Sequence, residues 1–143
     1  MIMKMASRIT LVSVLSMAWA AHAHAECVRT LETKVQRFAR TTLVFYGTVL
    51  KVETVIQDPE PFVYRVRFRV DQPYKGTTAG EQTFDFGATA EDFIFKEGQQ
   101  VLVWAPLNQH GQFTTQCTAT RTTTLDDSEL IELRNFSVDS LLR

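Results

Sequence analysis

The chain is poor in cysteine. Its 143 residues carry two, Cys27 and Cys117, and they form no C-x-x-C, which removes the usual thiol-redox and zinc-ribbon patterns. Histidine is nearly as scarce. Two of the three, His22 and His24, lie in a small-residue stretch near the N-terminus. The other, His110, sits in a Gln/Gly turn with no acid or nucleophile near it in sequence. No zinc ligand set, Gly-rich phosphate loop or G-x-S-x-G is present, so no catalytic residue, metal site or cofactor is expected. Internal repeats and low-complexity stretches are also missing. The one long apolar run, Ile9–Ala21, stands near the N-terminus.

That run follows Lys4 and Arg8 and ends in Ala-His-Ala-His-Ala, the layout of a secretory signal peptide. It is too short to span a bilayer, and its flanks are wrong for a spanning helix. Cleavage after Ala25 is preferred to cleavage after Ala23. The residues before Cys27 do not form a lipobox. Residues 1–25 are therefore read as a leader and 26–143 as one exported domain, periplasmic or secreted, with no membrane span. Losing Lys4 and Arg8 without losing an acid takes the formal charge from −1 to −3. A mildly acidic domain is a poor general binder of nucleic acid or anionic membrane.

In an oxidising compartment the two cysteines have one intramolecular pairing, Cys27 with Cys117. Closing a loop of that length is worth roughly 4–5 kcal/mol in the chain-entropy model.

Leu31, Val35 and Phe38 recur at helical spacing, which predicts a short amphipathic helix over 28–39. The period then changes. Leu43–Val55 is rich in β-branched and aromatic residues and reads as a long strand, with Gly47 as a bulge or bend. Gln57–Pro61 is a turn by composition. Phe62–Val70 alternates, with Phe62, Tyr64, Val66, Phe68 and Val70 on one face and Val63, Arg65, Arg67 and Arg69 on the other. Gln82–Phe86 is a third strand. Val101–Ala105 is near-continuously apolar, as in a strand buried on both sides. Gln112–Thr120, carrying Cys117, is the expected fifth strand. A closing helix follows, with Asp126 as cap, Glu129 completing a capping box and Leu125 and Leu130 at the staple positions. Leu130, Ile131 and Leu133 are expected to pack on the sheet. The fold class is mostly β: a five-stranded antiparallel OB-type barrel with an N-terminal and a C-terminal helix.

These pieces resemble a known family. Thr42–Val52 (TLVFYGTVLKV) is similar to the "apolar pair, Phe, x, Gly, x, Val" first strand of netrin-like OB-fold domains, those of the tissue inhibitors of metalloproteinases and their bacterial relatives. Phe68-x-Val70 followed by Tyr74-Lys75-Gly76 resembles the second strand and aromatic-Lys-Gly turn of the bacterial members. Phe95–Gly98 with Val101–Ala105 resembles their fourth strand, and Cys117 before a last helix their late cysteine. The resemblance covers nearly the whole mature chain. It implies a binding or inhibitory domain rather than an enzyme. In the animal inhibitors the N-terminal cysteine's free amine and carbonyl chelate the protease zinc. Here Glu26 precedes Cys27, so that mechanism does not carry over.

The sharpest surface feature is the row Arg65, Arg67 and Arg69, roughly 7 Å apart along one strand face. Two readings stand side by side: a solvated row neutralised by acids such as Glu53 and Asp85, or a patch for an anionic polysaccharide or nucleic acid. Single-strand binders place stacking aromatics beside their cations, whereas Phe62, Tyr64 and Phe68 alternate onto the opposite face. The leading expectation is an exported non-enzymatic domain whose partner is a protein or a cell-envelope component. A metalloproteinase-type inhibitor is one alternative, and an anion binder using the arginine row is the other.

Overall fold

The computed structural model describes residues 32–55, 63–88 and 92–141. The expected leader, Cys27, the helical residues before Glu32, the Gln57–Pro61 turn, Phe62 and Glu91 lie outside the described residues. In chain order the elements are α1 (Lys34–Arg40), β1 (Leu43–Val55), β2 (Val63–Lys75), β3 (Gly80–Gly87), β4 (Gln100–Ala105), β5 (Arg121–Thr122) and α2 (Ser128–Leu141). The five strands form one antiparallel sheet in the order β3-β2-β1-β4-β5.

The sheet is not closed into a barrel. No ladder joins β3 to β5; their sides of the sheet approach through the single bridges Phe86–Phe113 and Leu107–Phe113. The expected strand over 112–120 is likewise corrected. Only Phe113 bridges there, and the strand proper is the short β5. The reason is a tertiary contact. The amides of Thr115 and Gln116 donate to Asp92 Oδ1 at 2.9 and 3.1 Å, and that of Thr114 to the Pro106 carbonyl at 2.9 Å. Cys117 then takes φ 57°, a left-handed conformation that ends any extended run. Amides committed to a side chain cannot also build a ladder.

β1 matches its expected span, and Gly47 lies at a register shift between Tyr46 and Gly47 opposite β2. A Cβ on Gly47 would sit 2.4 Å from the Arg69 carbonyl oxygen. Only glycine lets the two backbones come this close.

The sheet has a core on each face. On one, Leu43, Phe45, Val49, Val66, Phe68, Val70, Phe86, Val101 and Val103 pack with Phe95 from the β3–β4 connection. Edge-on aromatic pairs hold this face together, Phe45–Phe68 at 4.9 Å and Phe68–Phe95 at 5.3 Å between ring centres. On the other, Val44, Tyr46, Leu102 and Trp104 lie beneath Phe38 of α1 and Leu130 and Leu133 of α2. β4 thus contributes to both cores, as its unbroken apolar run predicts. Burial pushes the Tyr74 hydroxyl, at the edge of the second core, up to about 12.

Both helices differ in detail from expectation. Thr33 caps α1 in a reciprocal capping box with Gln36, so the helix begins at Lys34. Val35 is 59% exposed rather than buried with Phe38. At the other end Lys75 Nζ donates to the Phe38 and Ala39 carbonyls at 2.7 and 2.8 Å and lies 5.3 Å from the Phe38 ring centre. Lysine at a helix C-terminus satisfies carbonyls that have no intrahelical partner. Burial holds its ammonium below the usual lysine range. Gly76, at φ 75°, leaves room for the Thr42 carbonyl 2.2 Å from where a Cβ would stand. Tyr74-Lys75-Gly76, at the end of β2, is therefore the clasp between β2 and α1.

In α2 the cap is Asp127, not Asp126. Asp127 Oδ1 accepts from the Glu129 amide at 2.9 Å. Its other oxygen accepts from Thr123 Oγ1 at 2.7 Å and from Arg121 Nη2 at 2.6 Å. These bonds hold the carboxyl down at about 2. Leu125 is 62% exposed, so no staple forms, and Ile131 points outward at 66% exposure while Leu130 and Leu133 are buried. The buried stripe is Leu130, Leu133 and, in part, Phe136.

Candidate functional site

The arginine row occupies the part of the sheet that the helices leave bare. Arg65, Arg67 and Arg69 are all exposed on β2, while Val66, Phe68 and Val70 point into the first core. Strand register supplies each with neighbours. Arg65 stands between Glu53 of β1 and Asp85 of β3, Arg67 between Lys51 and Thr83, and Arg69 between Thr48 and Glu81.

Arg65 makes a two-pronged pair with Asp85, Nε to Oδ1 at 2.9 Å and Nη2 to Oδ2 at 3.2 Å. That hydrogen bond is the main cause that raises the Arg65 pKa above its ordinary value. Arg69 donates to Asp71 Oδ1 at 3.1 Å and to Thr48 Oγ1 at 3.2 Å. Lys51 pairs with Glu53 at 2.7 Å, and their hydrogen bond, then the charges of Lys51, Arg65 and Arg67, hold Glu53 below the usual carboxylate range. Among the described residues, no ion pair engages Arg67.

Electrostatically, then, the row is not a positive stripe. Lys51, Arg65, Arg67 and Arg69 share this face with Glu53, Asp71, Glu81 and Asp85, and the charges cancel. Surface pairs of this kind contribute little to stability. Cations paired in this way steer an anion less than a bare row would. A shallow depression of about 150 Å³ lies among Lys51, Glu53, Arg65, Arg67 and Thr83, smaller than the roughly 300 Å³ at which small-molecule sites begin.

The other chemistry-bearing residues are dispersed. His110 is exposed in its turn, where its amide and that of Gln112 donate to Asn108 Oδ1 at 2.9 and 3.0 Å. Among the described residues no three of His, Cys, Asp and Glu stand together as a metal set, and no helix is long and apolar enough to cross a membrane. None of the described cysteines is a free thiol. The expected pairing of Cys117 reaches Cys27, outside the described residues.

Asp92 is the residue that sequence reasoning missed. Adjacent acids such as Glu91 and Asp92 read as a solvated loop pair, yet Asp92 is 7% exposed. Besides the two amides already named, its Oδ1 accepts from Thr114 Oγ1 at 3.0 Å and Thr115 Oγ1 at 3.3 Å. One carboxylate thus anchors the loop that carries Cys117 to the β3–β4 connection. The available signal was the run Thr114-Thr115-Gln116, whose hydroxyls and amides favour local side-chain bonds over a ladder.

Compared with known proteins, the sequence matches no family model and no curated protein.

Proposed function

We propose that this chain is an exported, non-enzymatic interaction domain of the netrin-like OB type, whose partner is a protein or a cell-envelope component. The observation that carries the interaction reading is on the helical side. Lys34 of α1 bridges Glu132 of α2 at 3.0 Å, tying the two helices together. Their sequence neighbours Val35 and Ile131 are 59% and 66% exposed. Apolar side chains held outward on neighbouring helices offer a protein partner apolar area to bury. The OB-type reading draws support from the two Phe113 bridges, a seam of the kind a partly open barrel needs.

The local pairing of Arg65 and Arg69 favours the interaction reading over anion binding through the arginine row. The test is capture from host envelope extract by the mature protein, in parallel with Val35→Asp/Ile131→Asp. Specific capture by the wild type that the double variant loses supports the proposal. Equal capture by both would move the interface elsewhere, and capture of nothing by either would sink it.

A further inference from the structure

A second site lies on the far side of α1. A cavity of about 400 Å³ opens there between α1, the end of β4 and the Cys117 loop, within the roughly 300–1,000 Å³ of small-ligand sites. Three features of its wall point to a ligand. Trp104 lines it, is 1% exposed, and its indole Nε1 is buried without a hydrogen-bond partner. Buried indole N–H groups nearly always find an acceptor, so an unmade bond here marks a place for one. Arg37 also lines the cavity, half-buried, and no hydrogen bond or ion pair engages its guanidinium among the described residues. Arg40 and Glu32 complete the charged rim and neutralise each other, with Arg40 Nη2 to Glu32 Oε2 at 2.8 Å.

We infer that this cavity binds a carboxylate, with the Arg37 guanidinium and the Trp104 indole N–H as its donors. The wall carries one positive charge in excess, that of Arg37, because Glu32 cancels Arg40. A monoanion balances it, whereas a phosphate dianion would leave one negative charge uncompensated. A planar carboxylate also matches the guanidinium fork. Pro106 and Trp104 supply apolar wall for the carbon attached to it. The carboxylate could belong to a small free acid or to a peptide C-terminus. The inference stands on the cavity alone and does not need the helical-face interaction proposed above.

Trp19 falls within the expected leader, which leaves Trp104 as the single indole of the mature chain. Its N–H is then one isolated peak in a proton–nitrogen NMR spectrum and reports the bond directly. The mature protein is titrated with propionate, with short acetylated peptides ending in a free carboxylate, with the same peptides amidated, and with sodium chloride at matched ionic strength. The expected result is a saturable shift of the indole peak with carboxylates, and none with amides or chloride. Saturation by propionate at the concentration that suffices for peptides identifies a small-acid site; saturation by the free-carboxylate peptides alone identifies a chain terminus. Arg37→Gln is expected to weaken binding at least about tenfold, the loss of one charge-assisted bond. Trp104→Phe, which keeps an aromatic ring and removes the donor, is expected to weaken it about fivefold, read on the Thr41 and Thr118 amides. No shift at any carboxylate concentration overturns the inference. So does an equal shift with chloride, which would mean an adventitious ion only, or full binding retained in both variants.

Discussion

Removing the Asp92 carboxylate is expected to cost more than any surface substitution in this chain. Its Oδ1 holds two backbone amides, those of Thr115 and Gln116, at 2.9 and 3.1 Å, together with the hydroxyls of Thr114 and Thr115. The hydroxyls can rotate toward other acceptors. Of the amides, that of Gln116 keeps a second acceptor in Thr114 Oγ1 at 3.2 Å, whereas that of Thr115, a residue 4% exposed, depends on Asp92. A stranded buried amide costs about 1–3 kcal/mol. With the lost hydroxyl bonds, Asp92→Ala should therefore destabilise by about 2–4 kcal/mol, a large share of a domain's whole stability. Asp92→Asn keeps an acceptor oxygen and loses only the charge assistance, so about 1–2 kcal/mol is expected. Urea unfolding of the mature protein measures both through the midpoint at constant slope. An alanine variant within 0.5 kcal/mol of wild type, or an asparagine variant no better than alanine, would refute the view that this one carboxylate orders the loop.

Gly47→Ala places a methyl 2.4 Å from the Arg69 carbonyl oxygen; the strands must part, and a loss of about 1–3 kcal/mol is expected in thermal unfolding. Lys75→Met, which strips two α1 carbonyls of their donor, should lower the melting temperature and speed hydrogen exchange in α1 before it does so in β1. Asp127 titrates at about 2 when folded, against its ordinary 3.8. The folded pKa is depressed, so its stabilisation is present above about pH 4 and is lost as pH falls toward 2. Asp127→Asn should accordingly flatten stability across that window, as read by unfolding at successive pH values.

Much of the sheet was legible because strand periodicity is a local signal. Leu43–Val55, the alternation from Arg65 to Val70 and the unbroken run Val101–Ala105 each appear as strands, whereas Val63, expected on the outer face with the arginines, is 1% exposed. Helix faces were less legible. Val35 and Ile131 fit an apolar stripe by spacing yet point outward, because α1 and α2 share one patch of β1 and β4, which Phe38, Leu130, Leu133 and, in part, Phe136 cover. Of the arginine row, the exposure followed from alternation. The Arg65 pairing followed from register, which sets Asp85 opposite it, whereas Arg69 pairs with Asp71 two residues along its own strand.

Properties that depend on a residue and its near neighbours were written in the chain. These include the long strands, the bend at Gly47, the turn at Gly111 and the presence of a last helix. Each follows from side-chain alternation or from backbone freedom over a few residues. Properties that depend on what lies across space were not. Whether Gln112–Thr120 would pair as a strand was decided by Asp92, more than twenty residues earlier in sequence, whose carboxylate competes for the same amides. Whether three arginines would form a positive stripe was decided by the acids that two neighbouring strands bring alongside. The cavity beside Trp104 exists only because α1, β4 and the Cys117 loop meet there. A hydrogen bond or an ion pair is a contest among all partners within reach, and reach is set by the fold.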